Sequence, residues 1–119
     1  MSKVGDMKKI LKDMESSMGM EIGVVITRNG IPMAWNSTGN TDIETFATLS
    51  ATIYGASEVI FSGVNRAPPE VVIVSSPEGV FVASGLGKKG IVSGICKSGD
   101  SQLLFDGMKT ASGMIMEVL

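Results

Sequence analysis

The chain has 119 residues, 44% apolar and 18% charged, with a formal net charge of −2, a size that suits one domain over residues 1–119 with no metal or disulfide staple. Its basic residues never run longer than two, as in Lys8-Lys9 and Lys88-Lys89, whereas a nucleic-acid partner needs a basic stripe to meet its phosphates. There is no histidine and a single cysteine, Cys96, so a Ser/His/Asp triad, a Cys/His pair, an intrachain disulfide and most zinc sites are excluded, and a reducing cytoplasm is the expected setting.

Residues 2–17 read as an amphipathic helix: Val4, Met7, Ile10, Leu11, Met14 and Met18 recur on one face, Lys3, Lys8, Lys9, Lys12 and Asp13 cover the rest, and Gly19 is the expected stop. The segment has no unbroken apolar core, which argues against a signal peptide. No stretch of the chain approaches the ~20 apolar residues of a membrane span. Residues 21–27 are β-branched and predict a strand; Asn29-Gly30 then predicts a hairpin into a second strand over 31–36, with positive φ at both turn residues.

After a loop at 37–40, Thr41-Asp42-Ile43-Glu44 matches a capping box and opens a long helix to about Ser62, ended by Gly63, Asn65 and Pro68-Pro69. Residues 70–75 predict a third strand, Ser76-Pro77-Glu78-Gly79 a turn, 80–84 a fourth strand, 85–90 a glycine-rich connection and 91–96 a fifth. Residues 98–100 cap a last helix over 101–119, with Leu104, Met108, Ala111, Ile115 and Val118 on one face. The order is αββαβββα. Tight hairpins require antiparallel pairing, so the fold class is α+β, a five-stranded antiparallel sheet flanked by helices.

The long helix carries the functional argument. Ile43, Phe46, Ala47, Ser50, Ile53, Tyr54, Ser57 and Phe61 form a stripe that can cover the sheet. The opposite side should then hold charge, yet residues 45–57 contain none. The outward positions are Thr45, Thr48, Leu49, Thr52, Gly55 and Ala56. Depletion of charge marks an interface core. The bland alternative is a helix buried by its own domain, but a one-layer sheet with three helices has little material left to cover this side. The third strand has a continuous Val71-Val72-Ile73-Val74 run. At a sheet edge it is an open template for a second copy; at the centre it is simply buried on both faces. Val71 and Ile73 therefore join the helix positions as candidate interface residues.

Other motifs carry less. Gly85-Leu86-Gly87-Lys88-Lys89-Gly90 spells G-x-G-x-x-G, but a strand follows it where a dinucleotide site needs a helix. Cys96 is expected to be buried and structural. Asp100 and Asp106 read as a cap and a solvated face. The nine methionines suit either core filling or an adaptable surface. Trp35 fits a contact anchor as well as a core residue. No catalytic residue, cofactor or metal site is expected.

The hairpin at Asn29-Gly30, the helix from Thr41-Asp42-Ile43-Glu44 through Ala47, Leu49 and Gly55-Ala56-Ser57-Glu58, and the stretch from Glu70 to Ser84 together resemble the roadblock family, which includes dynein light chains and bacterial and archaeal small-GTPase regulators. The resemblance covers nearly the whole chain. It implies strand order 2-1-5-4-3, with the long helix on one face and the terminal helices on the other. It also implies a homodimer joined through the third strands and long helices, and a Ras-like small GTPase bound on the paired helices. Some relatives accelerate hydrolysis by reshaping the GTPase; the two arginines here, Arg28 and Arg66, lie in loops, and nothing marks either as a finger. The expected function is a non-enzymatic regulator or scaffold. A ligand-sensing module of profilin- or PAS-like fold is the alternative, with room for a pocket at Gly85, Gly87, Gly90 and Gly94.

Overall fold

A computed structural model describes residues 2–37 and 39–119; Thr38, within the expected loop at 37–40, lies outside the described residues. The elements are α1 (Lys3–Met18), β1 (Met20–Ile26), β2 (Pro32–Ser37), α2 (Ile43–Gly63), β3 (Val71–Ser76), β4 (Gly79–Gly85), β5 (Ile91–Cys96) and α3 (Ser101–Val118). The expected order αββαβββα holds, with ends within two residues of those read from sequence.

Local chemistry sets the boundaries. Ser2 Oγ accepts from Gly5 N–H at 3.0 Å to cap α1, and Gly19 closes it in the left-handed region at φ 65°. The cap of α2 is Asp42, not Thr41. Its carboxylate accepts from Thr45 N–H at 3.2 Å and from the Thr45 hydroxyl at 2.8 Å, and these bonds hold the Asp42 carboxyl below its ordinary range. With the cap one residue later than expected, Glu44 falls one position short of where a reciprocal box needs it.

The β1–β2 turn also differs from expectation. Only Gly30 takes positive φ, at 88°. The turn is one residue longer than a two-residue hairpin: Gly30 N–H donates to Thr27 O and Thr27 N–H to Ile31 O, each at 2.9 Å. Glycine is needed twice over here, since a Cβ at Gly30 would stand 3.0 Å from Thr48 Cα on α2.

The sheet is antiparallel throughout, in order β2-β1-β5-β4-β3. Its central strand β5 alternates between two cores. Val92 and Cys96 face α1 and α3, joining Met7, Leu11, Met14, Leu104, Met108 and Ile115. Ile91 faces α2, joining Val24, Ile26, Ala47, Tyr54 and Ala83. Burial on both faces explains why β5 lacks the polar alternation of a one-sided strand.

Serine hydroxyls tie helices to both faces. Ser93 Oγ donates to Ser50 Oγ at 2.9 Å under α2, and Ser112 Oγ bonds Ser84 Oγ at 2.7 Å under α3. Paired in this way, these buried hydroxyls avoid the cost of an unmet hydrogen bond.

Candidate protein interface

At about 100° per residue, the buried residues Ala47, Ser50 and Tyr54 define the inward direction of α2. Thr45, Thr52 and Ala56 then run along the centre of the outer face, and all three are exposed. Thr48 lies to one side, above Gly30 of the β1–β2 turn. Leu49, Ile53 and Ile60 lie to the other, the side on which Phe46 meets Phe81 of β4 with ring centroids 6.1 Å apart. The apolar flank of the helix therefore leans toward β3.

Two members of the expected sheet-covering stripe are corrected. Ile53 sits about a quarter turn from the inward direction and is exposed. Phe61 is in phase with Tyr54, but every residue from 59 to 68 is exposed, so the last turns of α2 have already left the sheet. Sequence reasoning missed the most exposed apolar residues, Val59 at 71%, Ile60 at 66% and Val64 at 60%. The signal was there in the unbroken run Val59-Ile60-Phe61, which no single helix face can bury.

Of the remaining expected interface residues, Leu49 is exposed and Gly55 half-buried. Val71 and Ile73 pack toward the α1–α3 core, so their side chains point away from the α2 face. Their neighbours Val72 and Val74 occupy the α2 side of β3; Val72 reaches the core there while Val74 is 49% exposed. Leu49, Ile53, Phe46, Phe81, Val72 and Val74 thus form one apolar tract from helix to sheet edge.

Glu58 follows Tyr54 by one turn on the inward side of α2, not on its outer face, and pairs there with Arg28 at 2.5 Å; Arg28 also lies 5.6 Å from the centroid of the Tyr54 ring. Arg28 is thereby held against its own domain instead of projecting as a finger. Two hydroxyls at the centre of the outer face are satisfied locally: Thr52 Oγ1 donates to Thr48 O at 2.9 Å and Thr45 Oγ1 to Asp42 at 2.8 Å. Covering these two with protein strands neither donor.

Strand β3 lies at a sheet edge, which decides between the two sequence readings. The other edge, β2, begins with Pro32 and carries a register shift near Ile26, both of which blunt an edge. By contrast β3 pairs with β4 in unbroken register and holds neither proline nor charge. Its outer backbone is a regular template.

The glycines that could have left room for a ligand are filled from the other side. A Cβ at Gly85 would stand 2.5 Å from Tyr54 Oη, and one at Gly90 or Gly94 would stand 2.2 Å from the carbonyl oxygen of Ile26 or Ile22. These glycines serve close packing. Gly87, in the loop before β5, alone of the four would give a Cβ no close clash, only an ordinary contact with Met116 Cε at 3.9 Å; that strand, not a helix, follows the G-x-G-x-x-G run. Cys96 is fully buried, and burial together with Glu21 pushes its thiol up to about 11, the opposite of an activated nucleophile. Among the described residues no helix is long and apolar enough to cross a membrane.

An MglB protein solved in a tetrameric arrangement superposes with a TM-score of 0.88 at 13% identity, covering 99% of this chain and 90% of the other. A Roadblock/LC7 domain from Streptomyces avermitilis gives 0.77 at 11% identity, covering 92% and 93%.

The chain has the roadblock fold.

Profilin II from Acanthamoeba castellanii shares the layout more distantly, with a TM-score of 0.66 at 11% identity over 98% of both chains. No family model and no curated protein matches the sequence. Identities this low show the fold alone; the element order is the one read from the residues, and the strand order is the one implied by the family resemblance.

Proposed function

We propose that this roadblock-fold chain is a non-catalytic cytoplasmic regulator or scaffold. It pairs with a second copy through α2 and β3 and offers the paired helices to a Ras-like small GTPase or another protein. The observation that carries the reading is the uncharged outer face of α2, continuous with the open edge of β3.

Magnitudes support a dimer over a solvated helix. Burying a Leu, Ile or Val side chain is worth about 2 kcal/mol. Leu49, Ile53, Val59, Ile60 and Val74 keep 39–71% of their surface exposed, so burying the remainder would give on the order of 5 kcal/mol. Association costs about 4–15 kcal/mol, so helix contact alone is marginal. Strand pairing along β3 supplies backbone hydrogen bonds that tip the balance. The tetrameric arrangement of one MglB neighbour is in keeping with self-association here.

The GTPase half of the reading rests on the family resemblance. It is tested by titrating purified chain into Ras-like GTPases from the same genome, loaded with a non-hydrolysable GTP analogue, and following binding by calorimetry. Binding to one of them, weakened at least tenfold by Leu49→Glu, is the expected result. Equal binding by the variant would place the partner elsewhere, and heat from none of them would leave scaffolding of another protein as the role.

A further inference from the structure

A second apolar surface lies on the opposite side of the sheet from α2. An open groove of about 330 Å³ runs between α1 and α3, lined by Met14 and Met18 on one helix and Leu103 and Met114 on the other. Leu103 is 55% and Met114 42% exposed. Asp13 and Asp106 also line the groove and are its charged residues. An adjoining depression past Met114 adds Asp6 and Glu117 against a single Lys9. Neither ion pair of the described residues, Arg28–Glu58 or Lys109–Glu70, involves these carboxylates.

We propose that this groove binds a basic amphipathic helix of a partner protein. The walls are helices, and the stretch of α1 from Ile10 to Met18 spans about 12 Å, the reach of apolar anchors at i, i+4 and i+7 on a partner helix. Met114, 42% exposed, can repack around anchors of different shape, above a floor made by the buried Met14 and Met18. The carboxylates choose the sign of the partner's polar face, because an apolar helix flanked by Lys or Arg meets Asp13 and Asp106 with opposite charge. A second copy is a poor occupant: a twofold contact through this groove would set carboxylates against carboxylates. The groove is also separate from the α2 face, so both can be filled together.

The test uses the full chain with labelled Met and Leu methyl groups, and two synthetic helical peptides of identical leucine spacing, one with lysines and one with glutamates between the leucines. The lysine peptide should move the Met14, Met18, Leu103 and Met114 methyls with micromolar affinity, and the glutamate peptide should bind at least tenfold more weakly. Asp13→Lys with Asp106→Lys should cost at least tenfold, whereas Glu44→Lys with Glu78→Lys, the same change in net charge, should cost less than threefold. All four replaced carboxylates are exposed, so each variant should fold. The proposal is overturned by equal affinity for both peptides, equal loss in both double variants, shifts that map to α2, or concentration-dependent shifts of the groove methyls without peptide, which would make a second copy the occupant.

Discussion

Ser50 on α2 and Ser93 on β5 share a buried hydrogen bond of 2.9 Å at the centre of the sheet. The bond fixes the rotation of α2 about its axis, and with it which residues face outward. Ser50→Ala should cost about 1–2 kcal/mol by stranding the Ser93 hydroxyl, and the Ser50→Ala/Ser93→Ala pair should cost less than the sum of the singles. Chemical denaturation of the three variants measures this; full additivity would mean the two hydroxyls act independently.

The filled glycines make a second prediction. Gly94→Ala drives a methyl group against the Ile22 carbonyl and the Met20 side chain, and backbone cannot step aside as a side chain can. Destabilisation of about 3 kcal/mol is expected. Gly85→Ala instead meets the Tyr54 ring, whose hydroxyl donates to Pro69 O at 3.0 Å. It should detach that bond and move Tyr54, visible as a change in tyrosine fluorescence at a smaller stability cost. A Gly94→Ala variant as stable as the parent would reopen the idea of ligand space inside the sheet.

Stability should fall in mild alkali. The Cys96 thiol has an ordinary value of 9.0 and is pushed up to about 11, and burial also raises the Tyr54 hydroxyl above 10.0. Both groups hold their protons longer folded than unfolded: the Cys96 thiol does so between about pH 9 and 11, and the Tyr54 hydroxyl adds to this above pH 10.0. The Cys96 contribution is complete below pH 9 and is lost as pH rises through 11. Melting temperature against pH checks this, with Cys96→Ala expected to flatten the decline. At pH 8 the native thiol should resist a thiol reagent that reacts at once with the unfolded chain; fast native labelling would contradict the burial.

Much of this was legible in the sequence because each element carries its own signals. Periodicity marked α1 and α3, and an Asn-Gly pair marked the first hairpin. The uncharged stretch from Thr45 to Ser57 marked the outer face of α2. What was not legible depended on where the helix lies on the sheet. Ile53 and Phe61 look inward on a helical wheel, but a wheel cannot show that α2 is rotated past one and runs off the sheet before the other. Edge or centre for β3 was hidden in its own residues, because an apolar run suits both; only the strand order implied by the family resemblance put β3 at the edge. The serine pairs were invisible for a similar reason: Ser50 and Ser93 are 43 positions apart, and nothing in either neighbourhood names the other.

Charge on the outer face of α2 should separate the copies without unfolding them. Thr52 and Ala56 are exposed at the centre of that face, so a glutamate there is harmless to a lone subunit. Between paired helices it would be desolvated without a partner, at a cost of several kcal/mol. Circular dichroism and melting of dilute samples should show Thr52→Glu and Ala56→Glu to be as helical as the parent, and loss of helix in either would mean the face belongs to the subunit's own core.

The most direct measurement is the mass in solution, by light scattering at micromolar concentration, of the parent chain and of Thr52→Glu and Ala56→Glu. A parent at twice the subunit mass of 12.4 kDa, with both variants falling to the subunit mass, is the predicted result. A parent that stays monomeric, or variants that remain dimers, would contradict pairing through this helix.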